Sequence, residues 1–310
     1  MNTKLQKILC IVGPTASGKT ALSIEVAQRV GGEIISADSR QIYKKLTIGT
    51  AKPSISELNT VPHHFIDMLL PDEHFSAGDF SEQGRKTISD IVGRSAFPIV
   101  AGGTGLYVES LVDGLFSGPP IQPEYRAELE SRLKAEGGTR LLEELRRVDP
   151  AAASRMLPTN TRRIIRALEV FHTTGIPITI HHERQTRDQL YDAEFMGLEW
   201  ERNVLYERIN QRVDRMIEDG FLDEVKSLRA EGYDERYKAL QTVGYKEAFA
   251  YLRNEMTFER MVELMKQNTR RFAKRQLTWF RYDERIKWFK ISDASEITTI
   301  ADTVAARLIQ

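Results

Sequence analysis

Lys19 and Thr20 close the run Gly13-Pro14-Thr15-Ala16-Ser17-Gly18-Lys19-Thr20, which fits G-x-x-x-x-G-K-[ST] at every defined position. Such a run holds phosphate: its glycines let successive backbone N–H groups turn inward, and a following helix adds the positive end of its dipole. Lys19 would bring a point charge to the terminal phosphate, and the Thr20 hydroxyl a ligand for Mg²⁺. Phosphate binding alone does not choose a reaction. In phosphoryl transfer phosphorus is the electrophile, whereas in alkyl transfer from an allylic diphosphate the electrophile is carbon and pyrophosphate leaves. Charge builds on phosphate oxygens in both transition states, so one cradle serves either. The second residue with chemistry in it is Asp38, at the end of "EIISADS". A carboxylate there can hold Mg²⁺ or accept a proton from an attacking group, while Asp followed by Ser equally suits an N-cap or Asx turn.

These side chains need a frame. Ile8 to Val12, Glu33 to Ala37 and Phe97 to Ala101 are short apolar runs that read as buried parallel strands, each followed by a polar or Gly-rich loop and then helix. The cradle directly follows the first run and precedes the helical "ALSIEVAQRV", the context the motif requires. The carboxyl ends of strands in a doubly wound sheet face the ligand crevice, which brings Asp38 toward the cradle. The expected fold is α/β: a P-loop NTPase-like, doubly wound parallel sheet core with a helical insertion domain. Near Gly118 the texture turns to charged helix, opened by "GPPIQPEY", so the core is expected over 1–118 and 196–310 with the insertion at 119–195. "AEFMGLEW", residues 193 to 200, reads as a strand returning to the core, and a long helix is expected near residues 257 to 281.

Bulk composition removes several function classes. Lys+Arg and Asp+Glu both number 44, so no global basic field marks a polyanion binder and any nucleic-acid surface must be local. One cysteine, Cys10, forms neither a disulfide framework nor a Cys/His metal cluster, and its apolar run makes it a buried thiol. The six histidines lack metal spacing and read as structural or solvated. Ile8 to Val12 is too short for a signal-peptide core or a membrane span, so a cytoplasmic protein without a membrane partner is expected.

With "GPTASGKT" upstream and "HHFIDMLLPDEHFSAGDF" and "VAGGTGLYVESL" downstream, the segment "IISADSRQIYKKLTIGTAKPS" resembles the tRNA dimethylallyltransferases, the tRNA isopentenyltransferase or IPP transferase family. The resemblance implies transfer of a five-carbon prenyl group from dimethylallyl diphosphate to the exocyclic amine of the adenine just 3′ of the anticodon. By the same resemblance, Gly13, Pro14, Thr15, Ala16, Ser17, Gly18, Lys19 and Thr20 hold the donor diphosphate. Thr20 ligates Mg²⁺, Asp38 acts as general base on the adenine amine, and Arg212 clamps the departing pyrophosphate. Contacts to tRNA fall to Asp38, Ser39, Arg40, Gln41, Thr104 and Arg126, to Thr159, Asn160, Thr161, Arg162 and Arg163, and to Gln241, Thr242, Val243, Gly244, Tyr245 and Lys246. The partner would be the tRNA anticodon stem-loop with its adenine flipped out of the stack, bound by a bacterial-type monomer.

The residues add three observations of their own. "GGTGLY", residues 102 to 107, is by itself a tight strand-to-helix turn. "KQNTRRFAKRQLTWFRY", Lys266 to Tyr282, carries six basic residues and no acidic one. Arg270, Arg271, Lys274 and Arg275 share one helical face there, a local polyanion footprint. Asn160 is a candidate N-cap for the helix that carries Arg162, Arg163 and Arg166. Three rival readings stay open: a P-loop kinase of a small metabolite, an adenylate isopentenyltransferase using free AMP or ADP, and a nucleic-acid-binding NTPase.

Overall fold

The computed structural model describes residues 5–114, 122–184 and 190–309. They fall into two compact units, one made of the residues up to Asp113 and from 190 onward, the other of the residues between. The first unit opens with β1 (Lys7–Val12), α1 (Lys19–Val30), β2 (Gly32–Ser36), α2 (Ile55–Thr60), β3 (His63–His64), α3 (Ala77–Gly93), β4 (Phe97–Gly102) and α4 (Gly105–Val112). The second holds α5 (Pro123–Val148), α6 (Pro150–Ala153), α7 (Thr161–Thr174) and α8 (Ile178–Arg184). The first then resumes with β5 (Asp192–Trp200), α9 (Arg202–Glu218), α10 (Phe221–Ala230), a 3₁₀ turn at Lys238–Leu240, α11 (Tyr245–Leu252), α12 (Phe258–Phe280), β6 (Ile286–Ile291) and α13 (Glu296–Ile309).

One six-stranded sheet runs β3-β2-β4-β1-β5-β6, parallel at every pairing. β1 lies in the interior of the sheet, and its alternation explains the unbroken apolar run. Ile8, Cys10 and Val12 enter one core beside Val100, Phe195 and Val213, while Leu9 and Ile11 enter the other beside Leu22, Ile99 and Val304. Helices cover both faces, so every β1 residue from Ile8 on is 0% exposed and the strand has no polar side to show. Burial also pushes the Cys10 thiol pKa up, which makes it inert.

The expected fold class holds, and the three early strands and the returning one stand within a residue or so of their expected limits. β3, β6 and α13 were not expected. β6 is an edge strand that turns Lys287 and Lys290 outward, so its apolar signal is interrupted. β5 starts at Asp192, inside the range assigned to the insertion. Gly118 to Pro120, the expected Pro-rich opening, lies outside the described residues, but Pro123 stands at the first turn of α5 as its fixed φ favours.

The helical unit has its own core of Leu129, Leu141, Leu142, Leu145, Ile164, Ile165 and Leu168. Gly137, at φ 80°, kinks α5 between the two halves that contribute these leucines. Asp149 is 1% exposed and fully engaged: Oδ1 accepts from the Ala152 amide at 2.9 Å and the Thr179 hydroxyl at 2.9 Å, and Oδ2 from the Thr179 amide at 3.1 Å. A buried carboxylate so satisfied ties α8 to the cap of α6.

Candidate active site

The cradle links β1 to α1. Ala16 there adopts φ 62°, a left-handed conformation that a non-glycine residue holds only when its surroundings enforce it. The surroundings are two side chains, one from the end of β5 and one from α9. Arg208 Nε donates to Ala16 O at 3.0 Å, and Trp200 Nε1 donates to Ser17 O at 2.8 Å. The Arg208 guanidinium lies 4.1 Å from the Trp200 ring centre, so the two braces stack. With its carbonyls drawn outward, the loop is free to turn its amides inward.

A cavity of about 670 Å³ opens over this loop at the carboxyl ends of the strands. Thr15, Lys19 and Thr20 form one wall, Asp38 to Gln41 the next, and Arg212 comes from α9. Lys19 Nζ donates to Pro14 O at 2.5 Å. Burial, reinforced by the positive charge of Arg212 and opposed by Asp38, lowers the Lys19 pKa from 10.5 to about 7. Burial likewise lowers that of Arg212, with Asp38 opposing. Two half-buried cations and one half-buried carboxylate thus feel one another across one cavity, a setting in which an anionic ligand gains.

Asp38 forms the Asx turn and lines the cavity. Its Oδ1 accepts from the Arg40 amide at 2.8 Å and, more weakly, from the Gln41 amide at 3.4 Å. Thr104 holds the neighbouring backbone: its Oγ1 accepts from the Ser39 amide at 3.0 Å and its own amide donates to Ala37 O at 3.1 Å. A Cβ at Gly102 would stand 2.1 Å from Ala37 O, so only glycine lets the two strand ends approach this closely. Arg40 reaches away from the strand end, its Nη1 donating to Lys238 O at 2.8 Å, and Gln41 Nε2 donates to Ala51 O at 3.2 Å.

Gln241, Thr242, Val243, Gly244 and Lys246 also line the cavity, but Tyr245 does not. Its side chain is 0% exposed and its hydroxyl donates to Glu224 Oε1 at 2.6 Å. Glu224 further accepts the amides of Thr47, Ile48 and Gly49 at 2.9, 2.7 and 3.2 Å. Expected as a tRNA contact, the Tyr245 ring is instead a core group that helps fix the 47–49 loop. On α12 the buried stripe runs through Met261, Met265, Ala273, Gln276 and Phe280, with Arg270, Arg271, Lys274 and Arg275 opposite it. Arg270 donates to Asn210 at 2.6 Å, whereas Arg275 lines the cavity beside Phe272 and Trp279.

Several functional positions escaped the sequence. Gln276, a lone amide on an apolar stripe, bridges two loops of the cavity; Trp200 and Arg208 brace the cradle. His63, expected to be structural or solvated, lines the cavity. Its Nδ1 lies 2.9 Å from Val61 O, and its buried Nε2 has no hydrogen-bond partner among the described residues.

In the helical unit, Arg126 is committed. Its Nε and Nη2 donate to Glu169 at 2.6 and 3.0 Å, and Glu169 is 2% exposed. Thr159, Arg162 and Arg163 are exposed, with Asn160 and Thr161 half-buried. Asn160 stands at the start of α7 without capping it: its Oδ1 accepts from the Leu157 amide at 2.8 Å instead.

A parallel sheet with a phosphate cradle after an interior strand, and a carboxylate at the end of another strand facing the same cavity, defines a P-loop-type α/β protein. The family model described as IPP transferase matches residues 41–283, and the chain belongs to that family. It is 45% identical over 300 residues to a tRNA dimethylallyltransferase of Geobacillus thermodenitrificans, covering 96% of this chain and 95% of the relative. Among solved structures it resembles the full-length tRNA isopentenylpyrophosphate transferase from Bacillus halodurans, at 40% identity and a TM-score of 0.72 over 98% of this chain and 97% of that one. It also resembles a eukaryotic dimethylallyltransferase acting on tRNA, at 29% identity and a TM-score of 0.84 over 97% of this chain and 77% of that one.

Proposed function

We propose that this chain transfers the dimethylallyl group of dimethylallyl diphosphate to the exocyclic amine of the adenine 3′-adjacent to the anticodon of tRNA, releasing diphosphate. The observation that carries this reading is the convergence of Lys19, Thr20, Arg212 and Asp38 on one cavity. The amine nitrogen attacks C1 of the allylic chain as the C1–O bond breaks, and the bonding pair leaves on the diphosphate. Lys19 and Arg212 neutralise that departing charge, the latter through two parallel hydrogen bonds where geometry allows. Asp38 accepts the amine proton as the C–N bond forms. An adenine amine needs this help because its lone pair is delocalised into the ring.

The Thr20 hydroxyl and the diphosphate oxygens form a hard donor set that suits Mg²⁺, which keeps several waters and needs no all-protein cage. Among the described residues no group of three His, Cys, Asp or Glu could hold a metal by itself. Bound there, Mg²⁺ would offset the diphosphate charge. The RNA side would comprise Ser39, Arg40, Gln41 and Thr104, the 241–246 loop without the Tyr245 ring, and the outer face of α12. Thr159 to Arg163 would grip the stem, with the Arg126 guanidinium retained in its ion pair. No helix among the described residues is long and apolar enough to cross a membrane. We take the protein to act as a monomer in the cytoplasm, where tRNA is.

The test is mass analysis of nucleosides from tRNA incubated with the protein, Mg²⁺ and dimethylallyl diphosphate. A prenylated adenosine next to the anticodon is expected; label moving from ATP to a small acceptor, with none from the prenyl donor, would establish the kinase instead.

A further inference from the structure

We propose that Gln276 is a positioning residue that locks the donor cradle to the acceptor side of the cavity, an inference that rests on the reaction proposed above. The side chain is 7% exposed, and both ends of its amide are engaged. Oε1 accepts from the Thr15 amide at 2.9 Å, and Nε2 donates to Gly103 O at 3.0 Å. Thr15 belongs to the loop after β1 and Gly103 to the loop after β4. The two strands are neighbours, with Val12 opposite Gly102, so the loops leave the sheet side by side and Gln276 spans them from α12.

The fit is close enough to constrain the loop. A Cβ at Gly103 would stand 2.2 Å from Gln276 Nε2, so the backbone must be bare for the amide to reach it. One turn further along α12, Trp279 covers Gly105 in the same way, at 2.2 Å from a Cβ there. Thr104, held between these two contacts, bonds to Ser39 and Ala37 on either side of Asp38. The path from cradle to base is therefore continuous: Thr15, Gln276, Gly103, Thr104, Ser39, Asp38. Transfer needs the donor carbon and the acceptor amine at a fixed separation, and one buried amide sets the spacing between the loops that hold them. A position on an apolar helix stripe carries a glutamine because an apolar side chain would leave the Thr15 N–H and the Gly103 carbonyl unsatisfied. Taking up the Thr15 amide also leaves the later amides of the loop to turn toward phosphate.

The test compares the full-length wild type with Gln276→Met, which keeps the volume and removes both bonds. Phe280→Leu, a core change on the same helix, serves as the comparison. Gln276→Met is expected to lose roughly ten- to hundredfold in kcat at saturating donor and tRNA, because misplacement by about an ångström is costly in transfer chemistry. Its Kd for inorganic diphosphate, read by calorimetry without turnover, is expected to rise about tenfold, while its tRNA Kd stays unchanged. Gln276→Asn, too short to span both loops, should lose kcat equally and covers the case in which the Met variant does not fold. Wild-type-like kcat and diphosphate affinity in both variants, or equal losses in Phe280→Leu, overturn the positioning role. A wild type that binds diphosphate but never prenylates tRNA strikes the proposed reaction instead, and the diphosphate comparison still decides the coupling of Gln276 to the cradle.

Discussion

Arg212 and Arg126 are the same side chain in opposite settings. Arg126 is held in a bidentate pair with Glu169, and its charge is spent inside the helical unit. Arg212 lines the cavity with no ion-pair partner among the described residues; Asp38 acts on it only through space, and burial lowers its pKa. Lys19 shares that condition, bonded to a carbonyl rather than a carboxylate. A cation with its own buried carboxylate stabilises a fold, whereas a cation enclosed without one is poised for an anion that arrives from outside.

Four variants break or sharpen that contrast. Asp38→Ala removes the only acid in the cavity's charged trio and is expected to lower kcat on the order of 10² to 10⁴ with tRNA binding retained; single-turnover assays beside filter binding decide it. Arg126→Ala takes the bidentate partner from the buried Glu169 carboxylate, leaving it the longer contact to Arg166 Nη1 at 3.7 Å, and should cost about 2 kcal/mol of stability, read by denaturant unfolding; an unchanged midpoint with weakened tRNA binding would return Arg126 to the RNA surface. Arg212→Lys keeps the charge and loses the fork, so we expect about a tenfold fall in kcat/KM for the donor and no change in melting temperature.

The smallest effect concerns Lys19 and pH. Its folded-state pKa of about 7 lies below the ordinary 10.5, so the unfolded chain binds the proton more tightly. The enclosed ammonium therefore weighs on stability in full below pH 7, and that weight lifts as pH rises from 7 toward 10.5. Lys19→Met should stabilise the ligand-free protein by about 1 kcal/mol at pH 6 and by less at pH 9, as thermal melts at the two values would record.

The sequence carried the cradle because its eight residues are contiguous and the conformation is written in their types. It carried β1, β2 and β4 because both faces are buried and each strand keeps an apolar centre, unbroken in β1. Gln276 was hidden for the converse reason: its partners lie 261 and 173 positions away, and nothing local distinguishes a bridging amide from a solvated one. Tyr245 misled because it stands in a cavity-lining loop and turns its ring the other way, into Phe221 and Glu224. At Asn160 the residue type fitted a cap, yet the Leu157 amide competed successfully for the same oxygen.

The order of strands also governs how the protein emerges from the ribosome. β1 pairs with β4 on one side and with β5 on the other, and β5 is made only after the whole helical unit. At ordinary translation rates β1 therefore waits several seconds with a naked edge of backbone donors and acceptors. The helical segment, with an interior of its own, can condense during that pause; the sheet cannot be sealed until the second half of the chain has been synthesised.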